Sequence, residues 1–247
     1  MALVVDLKGK RALVTGSSRG IGRAIAVALA RAGAGVIVHG VAASQAAEET
    51  LAEIGENARF IAGNLADANA CLDIAKAAGP IDILILNASY EKRFDWRDLP
   101  IEEMDRQWAV NVRSSMILMQ ELVPGMADRG WGRVIAIGSI QEAKPNPRLA
   151  VYAASKVAQT SLVRTLAKEV GRQGVTVNNL APGAIATDRN AEVLADADYA
   201  ARVAAQIPAG RVGTPEDCVG ACLLLCSDAG SYINGASLYV DGGWHIA

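Results

Sequence analysis

The chain is expected to adopt an α/β fold built on a doubly wound, seven-stranded parallel sheet with helices on both faces. Three observations lead there. Short apolar runs rich in Val and Ile alternate with longer helical patterns along the chain, and runs apolar on both faces suit strands buried between helices. A glycine-rich turn joins the first such run directly to the first helical pattern, as in βα units that hold phosphate groups. No Pro/Gly/Ser-rich or charge-rich linker divides the 247 residues, so a single domain over 1–247 is expected. A chain of this length buries roughly 70 to 75% of the surface it exposes when unfolded, and needs neither disulfides nor a structural metal.

The strands are read at 11–15, 35–39, 58–62, 81–86, 132–137, 175–180 and 237–240. The helices between them are read at 20–32, 44–55, 68–78, within the long interval 101–129, at 152–173 and at 214–226. The last has a clear start: Thr214 can cap it, Pro215 suits its first turn and Asp217 completes a box-like pattern. Cys218, Cys222 and Cys226 recur every four residues on it. Their sulfurs should climb about 6 Å per step, too far apart for three to bind one ion, so they read as a buried apolar stripe. The segment 188–211 reads as a substrate lid with a helix. In such a sheet ligands bind beyond the carboxyl ends of the strands, so functional residues are sought there.

The charges nearly balance, 24 Lys and Arg against 26 Asp and Glu. That leaves no broad basic field for nucleic acid and no acidic tail, and favours a small-molecule partner. The sequence has two histidines, His39 and His245, so no metal site is expected. Residues 1–10 lack a long apolar stretch and a small-residue cleavage pattern, and no apolar run approaches a membrane span. The expected location is the cytoplasm, with no membrane partner.

After the first strand comes Thr15-Gly16-Ser17-Ser18-Arg19-Gly20-Ile21-Gly22. Glycines let backbone approach a pyrophosphate, and the helix N-terminus behind them offers unpaired N–H groups and a positive dipole. This is a Rossmann-type nucleotide turn; a turn of this kind alone is weak evidence, and its placement between strand and helix gives it weight. The second strand normally ends on an acid that grips the ribose 2′-hydroxyl of NAD, whereas Val38-His39-Gly40-Val41-Ala42-Ala43-Ser44 has none. Arg19 could instead pair with the 2′-phosphate of NADP, with Ser44 adding a hydroxyl. NADP is therefore expected over NAD, although Arg19 also fits a solvated surface arginine.

Tyr152 and Lys156 stand four residues apart on one helix face. A nearby cation stabilises a phenolate and lowers its pKa, which fits proton transfer. On its own the spacing also describes two exposed helix residues. Ser139 ends the fifth strand thirteen positions earlier, where its hydroxyl can hold a reacting oxygen. Asn111 lies inside a helical pattern where asparagine is a mediocre choice. A buried amide ordering water near Lys156 would explain it, and so would a satisfied helix amide.

Taken together, these motifs resemble the classical short-chain dehydrogenase/reductase family over essentially the whole chain. The resemblance puts the family's catalytic Asn, Ser, Tyr and Lys on Asn111, Ser139, Tyr152 and Lys156. It puts the glycine turn on Gly16, Gly20 and Gly22, with Ser18, Arg19 and Ile21 beside the cofactor, and has Tyr152 and Lys156 contact the cofactor as well. Pro182, Gly183, Ile185 and Thr187 match the nicotinamide-side motif, where Ile185 backbone and Thr187 hydroxyl would meet the carboxamide. The C-terminal Tyr232-Ile233-Asn234-Gly235 is also family-like, and implies a homotetramer. Two positions depart. Asn87-Ala88-Ser89 stands where Asn-Ala-Gly is usual, and Asn64, followed by Leu65, stands where an Asp usually meets adenine.

The resemblance implies hydride transfer between nicotinamide and a carbonyl or secondary alcohol. The pocket walls are expected from 89–96, 141–148 and 188–207, carrying Glu91, Lys92, Arg93, Gln141, Glu142, Lys144 and Asn190. So many polar groups suggest a small sugar- or polyol-like substrate, although loop charges commonly face water. A second reading is a 3-oxoacyl thioester on acyl carrier protein, docked through Arg129, Arg133 and Arg172, which equally suit ordinary surface positions. A third, of another class, is a non-catalytic NADP-binding sensor.

Overall fold

The computed structural model describes residues 5–247; the first four of the residues read for a leader, Met1 to Val4, lie outside them. The strands are β1 (Arg11–Val14), β2 (Gly35–Gly40), β3 (Ala58–Ala62), β4 (Ile83–Leu86), β5 (Gly132–Ile137), β6 (Val175–Pro182) and β7 (Ser237–Val240). They form one sheet in the order β3-β2-β1-β4-β5-β6-β7, with every neighbouring pair parallel. The chain winds outward from β1 to β3 and then returns to place β4 on the other side of β1. This reversal opens a crevice beyond the carboxyl ends of β1 and β4.

The helices are α1 (Gly20–Arg31), α2 (Gln45–Ile54), α3 (Ala68–Ala78), α4 (Ile101–Trp108), α5 (Ser114–Asp128), α6 (Ala150–Val170), α7 (Asp188–Leu194), α8 (Ala197–Ala205) and α9 (Val219–Cys226). Alternate strand residues feed two cores. Leu13, Leu84 and Val134 pack with Leu118, Met126 and Val163 from α5 and α6, while Val14, Ile83 and Ile135 pack with Ile25, Leu29 and Cys222 from α1 and α9. Each such side chain contributes about 1.5–3 kcal/mol on burial. The sheet is thus held from both faces, and its strand ends form a rigid rim.

Four readings need correction. The interval 101–129 is not one regular helix, because a π-helical turn, Ala109–Arg113, separates α4 from α5 and carries Asn111. The helix expected at 214–226 begins as a 3-10 turn, Pro215–Cys218, with the Asp217 carboxylate accepting from Thr214 N–H at 2.7 Å. Cys218, Cys222 and Cys226 are buried as expected. Cys222 and Cys226, however, lean together along one helix face, and their sulfurs are only 3.9 Å apart. Finally, the segment 188–211 contains two helices, α7 and α8. Among the described residues no helix is long and apolar enough to cross a membrane.

Candidate active site

The glycine turn is shaped by positions that exclude side chains. Gly16 and Gly20 take φ of +62° and +57°, the left-handed region that costs other residues energy. A Cβ on Gly22 would lie 2.4 Å from Asn87 Nδ2 and 2.5 Å from Gly16 O. The Asn87 amide stitches the turn to the end of β4, donating to Thr15 O and Gly16 O at 2.9 Å each. Thr15 Oγ1 in turn accepts from the N–H groups of Asn87 and Ala88, at 2.9 and 3.0 Å. His39 supports the other side: its Nδ1 accepts from Gly16 N–H at 3.0 Å and its Nε2 faces Gly63 O at 3.1 Å. This assigns the proton of the neutral ring to Nε2. Burial outweighs the Gly63 carbonyl and lowers the His39 pKa to about 4.

A cavity of ≈ 730 Å³ runs from this turn, past the strand ends, to Tyr152 and the lid. Of the residues assigned to the cofactor from sequence, all but Lys156 line it. The N-cap of α1, Arg19, makes no side-chain cap hydrogen bond, so the first-turn N–H groups remain open to an anion. Ser44 caps α2 by accepting from Ala47 N–H at 3.2 Å. Asn64, which lines the cavity, accepts at its Oδ1 from Ala66 N–H at 3.1 Å. Turn, open helix terminus and long cleft fit a dinucleotide. Arg19 makes a loose 3.8 Å pair with Asp188 of α7, both about 70% exposed; such a pair is worth little and releases easily.

At the other end Tyr152 is buried, facing the hydroxyls of Ser139 and Ser89. Ser139 is aimed by its local turn: its Oγ accepts from Gln141 N–H at 3.2 Å and its N–H donates to Glu142 Oε1 at 2.9 Å. Lys156 lies behind the cavity wall, fully buried, with Nζ donating to Ile137 O at 2.7 Å and Gln159 Oε1 at 3.1 Å. Burial first, then repulsion from Arg189, lowers its pKa to about 7, while Glu142 and Glu91 act against the shift. Asn111 Oδ1 accepts from Tyr90 N–H at 2.8 Å, and its Nδ2 donates to Tyr90 O and Ser155 Oγ at 2.9 Å each. Asn111 therefore pins the loop after β4. It reaches Lys156 only indirectly, through Ser115 Oγ, which donates to Asn111 O at 3.0 Å and accepts from Gln159 Nε2 at 2.8 Å.

The phenol departs from the expected tuning. Burial holds the Tyr152 pKa above its ordinary value; Arg189 is the leading opposing influence, helped by the two serine hydroxyls, while Glu91 adds to the rise. The Lys156 ammonium is turned toward Ile137 and Gln159, with Nζ 5.8 Å from the Tyr152 ring centroid.

The same fold is found in known proteins. Residues 16–245 match the family model described as Enoyl-(Acyl carrier protein) reductase. The gluconate 5-dehydrogenase of Gluconobacter oxydans (strain 621H) is 37% identical over 244 residues, covering 96% of this chain and 95% of that protein. A 3-oxoacyl (acyl-carrier-protein) reductase from Agrobacterium tumefaciens C58, solved with NADP bound, superposes with a TM-score of 0.93 at 40% identity, over 98% of this chain and 97% of that one. A short chain dehydrogenase/reductase family protein of known structure is 36% identical with a TM-score of 0.92, over 98% and 100%. This chain belongs to the classical short-chain dehydrogenase/reductase family.

As a short-chain dehydrogenase/reductase it is an oxidoreductase, and its substrate end differs in detail from the sequence reading. Glu91, Arg93, Gln141 and Asn190 line the cavity. Lys92 lies outside it, as does Lys144, which donates to Ala247 O at 2.6 Å. Glu142 turns inward, accepting from Thr160 Oγ1 at 2.7 Å and Asn179 Nδ2 at 3.1 Å. Arg133 cannot serve a docking patch: it is buried, with Nε donating to Ser227 O and its Nη2 3.3 Å from Asp228. Sequence reasoning passed over Arg189, Gln159 and the His39 brace. Arg189 had one signal, a cation two residues after Thr187 in a segment already read as a lid.

Proposed function

We propose that this short-chain dehydrogenase/reductase uses NADP to interconvert a carbonyl and a secondary alcohol on a small sugar- or polyol-like substrate. The observation that carries the reading is one continuous cavity with the glycine turn at one end and Tyr152 beside Ser139 at the other. The bound nicotinamide supplies or accepts the hydride. In reduction Tyr152 Oη gives its proton to the carbonyl oxygen, and in oxidation it takes the proton from the alcohol. Ser139 Oγ holds that oxygen as charge develops. Lys156, whose Nζ now donates to Ile137 O and Gln159 Oε1, would have to swing through the cavity wall to hold the ribose hydroxyls of the cofactor, and Asn111 positions the loop carrying Ser89. Arg19 and Ser44 would hold the 2′-phosphate, Asn64 and Leu65 the adenine, and Ile185 and Thr187 the carboxamide, all of them lining the cavity. The whole chain acts as one unit, with 188–211 as lid.

Cofactor choice is supported by the absence of an acid at the end of β2 and by Arg19 at the cavity mouth. Arg19→Ala is expected to lower the NADP-over-NAD preference roughly tenfold; an unchanged preference of kcat/KM would remove Arg19 from the 2′-phosphate site. The sugar reading is supported by likeness to the gluconate 5-dehydrogenase and by the polar wall at Glu91, Arg93, Gln141 and Asn190. The second reading, a 3-oxoacyl thioester, is favoured by the 40% identity to the Agrobacterium reductase. NADPH oxidation with keto-sugars, keto-acids and acyl-carrier-linked thioesters separates them: sugars turning over faster supports the proposal, thioesters alone sink it. No turnover with any substrate, despite NADPH binding, would point to a sensor. A homotetramer in the cytoplasm completes the reading; exposed Trp108, Met116 and Val157 on α4, α5 and α6 support a subunit interface there.

A further inference from the structure

The catalytic end of the cavity carries a cation that the chemistry above does not use. Arg189, in the first turn of α7, spends both terminal nitrogens on a single residue. Nη1 donates to Ser89 Oγ and Nη2 to Ser89 O, each at 2.8 Å. Neither nearby carboxylate pairs with Arg189: Glu91 lies 3.7 Å from Arg93, and Asp188 is loosely paired with Arg19 at 3.8 Å. A guanidinium has five N–H donors in a planar fork, so three of those on Arg189 remain after Ser89 is satisfied. The charge lies close enough to oppose protonation of buried Lys156, a repulsion that an anion entering beside Tyr152 would relieve.

Ser89 is built for this clamp. It stands where the family usually has glycine, which would offer its carbonyl but no hydroxyl. Asn111 fixes the next residue through two hydrogen bonds to the Tyr90 backbone. The arginine is therefore steadied from a buried amide outward, on the side of the cavity where Tyr152 reacts.

We propose that Arg189, anchored by Ser89, receives a carboxylate carried by the substrate, so that the enzyme selects sugar acids over neutral sugars and polyols. The fork geometry suits a carboxylate, which accepts two parallel charge-assisted hydrogen bonds. The proposal rests on the sugar- or polyol-like reading and narrows it. It makes Arg189 a specificity-determining residue and gives the serine departure a purpose.

The test compares kcat/KM for matched pairs, tetronic, pentonic and hexonic acids against the alditols of the same length, in wild type, Arg189→Gln and Ser89→Gly. Wild type is expected to prefer the acids. Arg189→Gln should lower the acid-to-alditol ratio roughly 30-fold or more, and Ser89→Gly should lower it less. Calorimetric binding of D-gluconate to the enzyme–NADPH complex should weaken in the same order. An unchanged ratio would overturn the carboxylate site while leaving the sugar reading intact. An equal fall in NADPH affinity would assign Arg189 to the cofactor phosphates and also overturn it. Wild-type turnover of acyl thioesters with none of the sugars or acids would overturn both readings at once.

Discussion

Tyr152 meets two hydroxyls, Ser139 and Ser89, and feels one cation, Arg189, against the burial that holds its pKa above the ordinary value. The sign for catalysis follows. A raised pKa keeps the phenol protonated through neutrality, ready to donate in carbonyl reduction, whereas alcohol oxidation needs the phenolate. Oxidation should therefore accelerate with pH into the alkaline range while reduction stays flat near neutrality. Removing Arg189 removes a group that pulls this pKa down, so Arg189→Gln should move the alkaline limb of alditol oxidation to higher pH. The pH profile of kcat/KM with a neutral alditol checks this, and a shift to lower pH would refute the role given to Arg189. Behind the tyrosine, Gln159 joins Lys156 to Ser115. Gln159→Leu leaves both without that partner in a buried site and should cost about 1–3 kcal/mol of stability in chemical denaturation. The nearness of Tyr152 to Ser139 was legible from a strand end and the helix start that follows it, whereas Asn111 was read as lying near Lys156 and instead holds the Tyr90 backbone. Arg189 and Gln159 were not legible, because their partners at Ser89 and Ser115 are brought to them only by the folded chain.

The glycine turn and the π-helical turn show how elements, rather than single groups, hold the site. His39 braces the turn by accepting from Gly16 N–H, and its pKa is lowered to about 4 from an ordinary 6.5. A depressed histidine pKa favours the neutral ring in the fold. Its stabilisation is fully present above pH 6.5 and is lost as pH falls from there through 4, on the order of 3 kcal/mol in all. Protonated Nδ1 can no longer accept from Gly16, and the folded protein takes that proton only near its own pKa, so NADPH binding should hold through mildly acidic pH and weaken as pH approaches 4. Thermal melts and NADPH titrations between neutral and acidic pH check both; His39→Gln, which cannot titrate, should flatten the dependence. The turn itself was legible from Gly16, Gly20 and Gly22, but the brace was not, since nothing local marks His39 as its partner. The π-helical turn was equally hidden. Its pattern reads as ordinary helix, and the wider turn Ala109–Arg113 shows only in the folded backbone.

For the whole molecule, the sheet order explains why these pieces meet. The reversal between β1 and β4 brings the glycine turn beside Asn87 and Ala88, while β5 and α6 set Ser139 against Tyr152. Strand and helix alternation made this architecture readable, because a parallel sheet needs crossovers and both faces covered. Assembly as a homotetramer is a proposal that began from likeness alone. Trp108, Met116 and Val157 remain 38%, 40% and 51% exposed on neighbouring helices, more apolar surface than an isolated helix face needs. Native mass measurement should find a homotetramer, and Val157→Glu should shift it toward smaller species; a wild-type monomer would refute the assembly. The most direct test of proton transfer by tyrosine is Tyr152→Phe, with NADPH affinity and turnover measured on the same preparation. NADPH should bind within about threefold of wild type while kcat falls roughly 1,000-fold. Turnover within about tenfold of wild type would contradict the assignment of Tyr152 as the proton-transferring group.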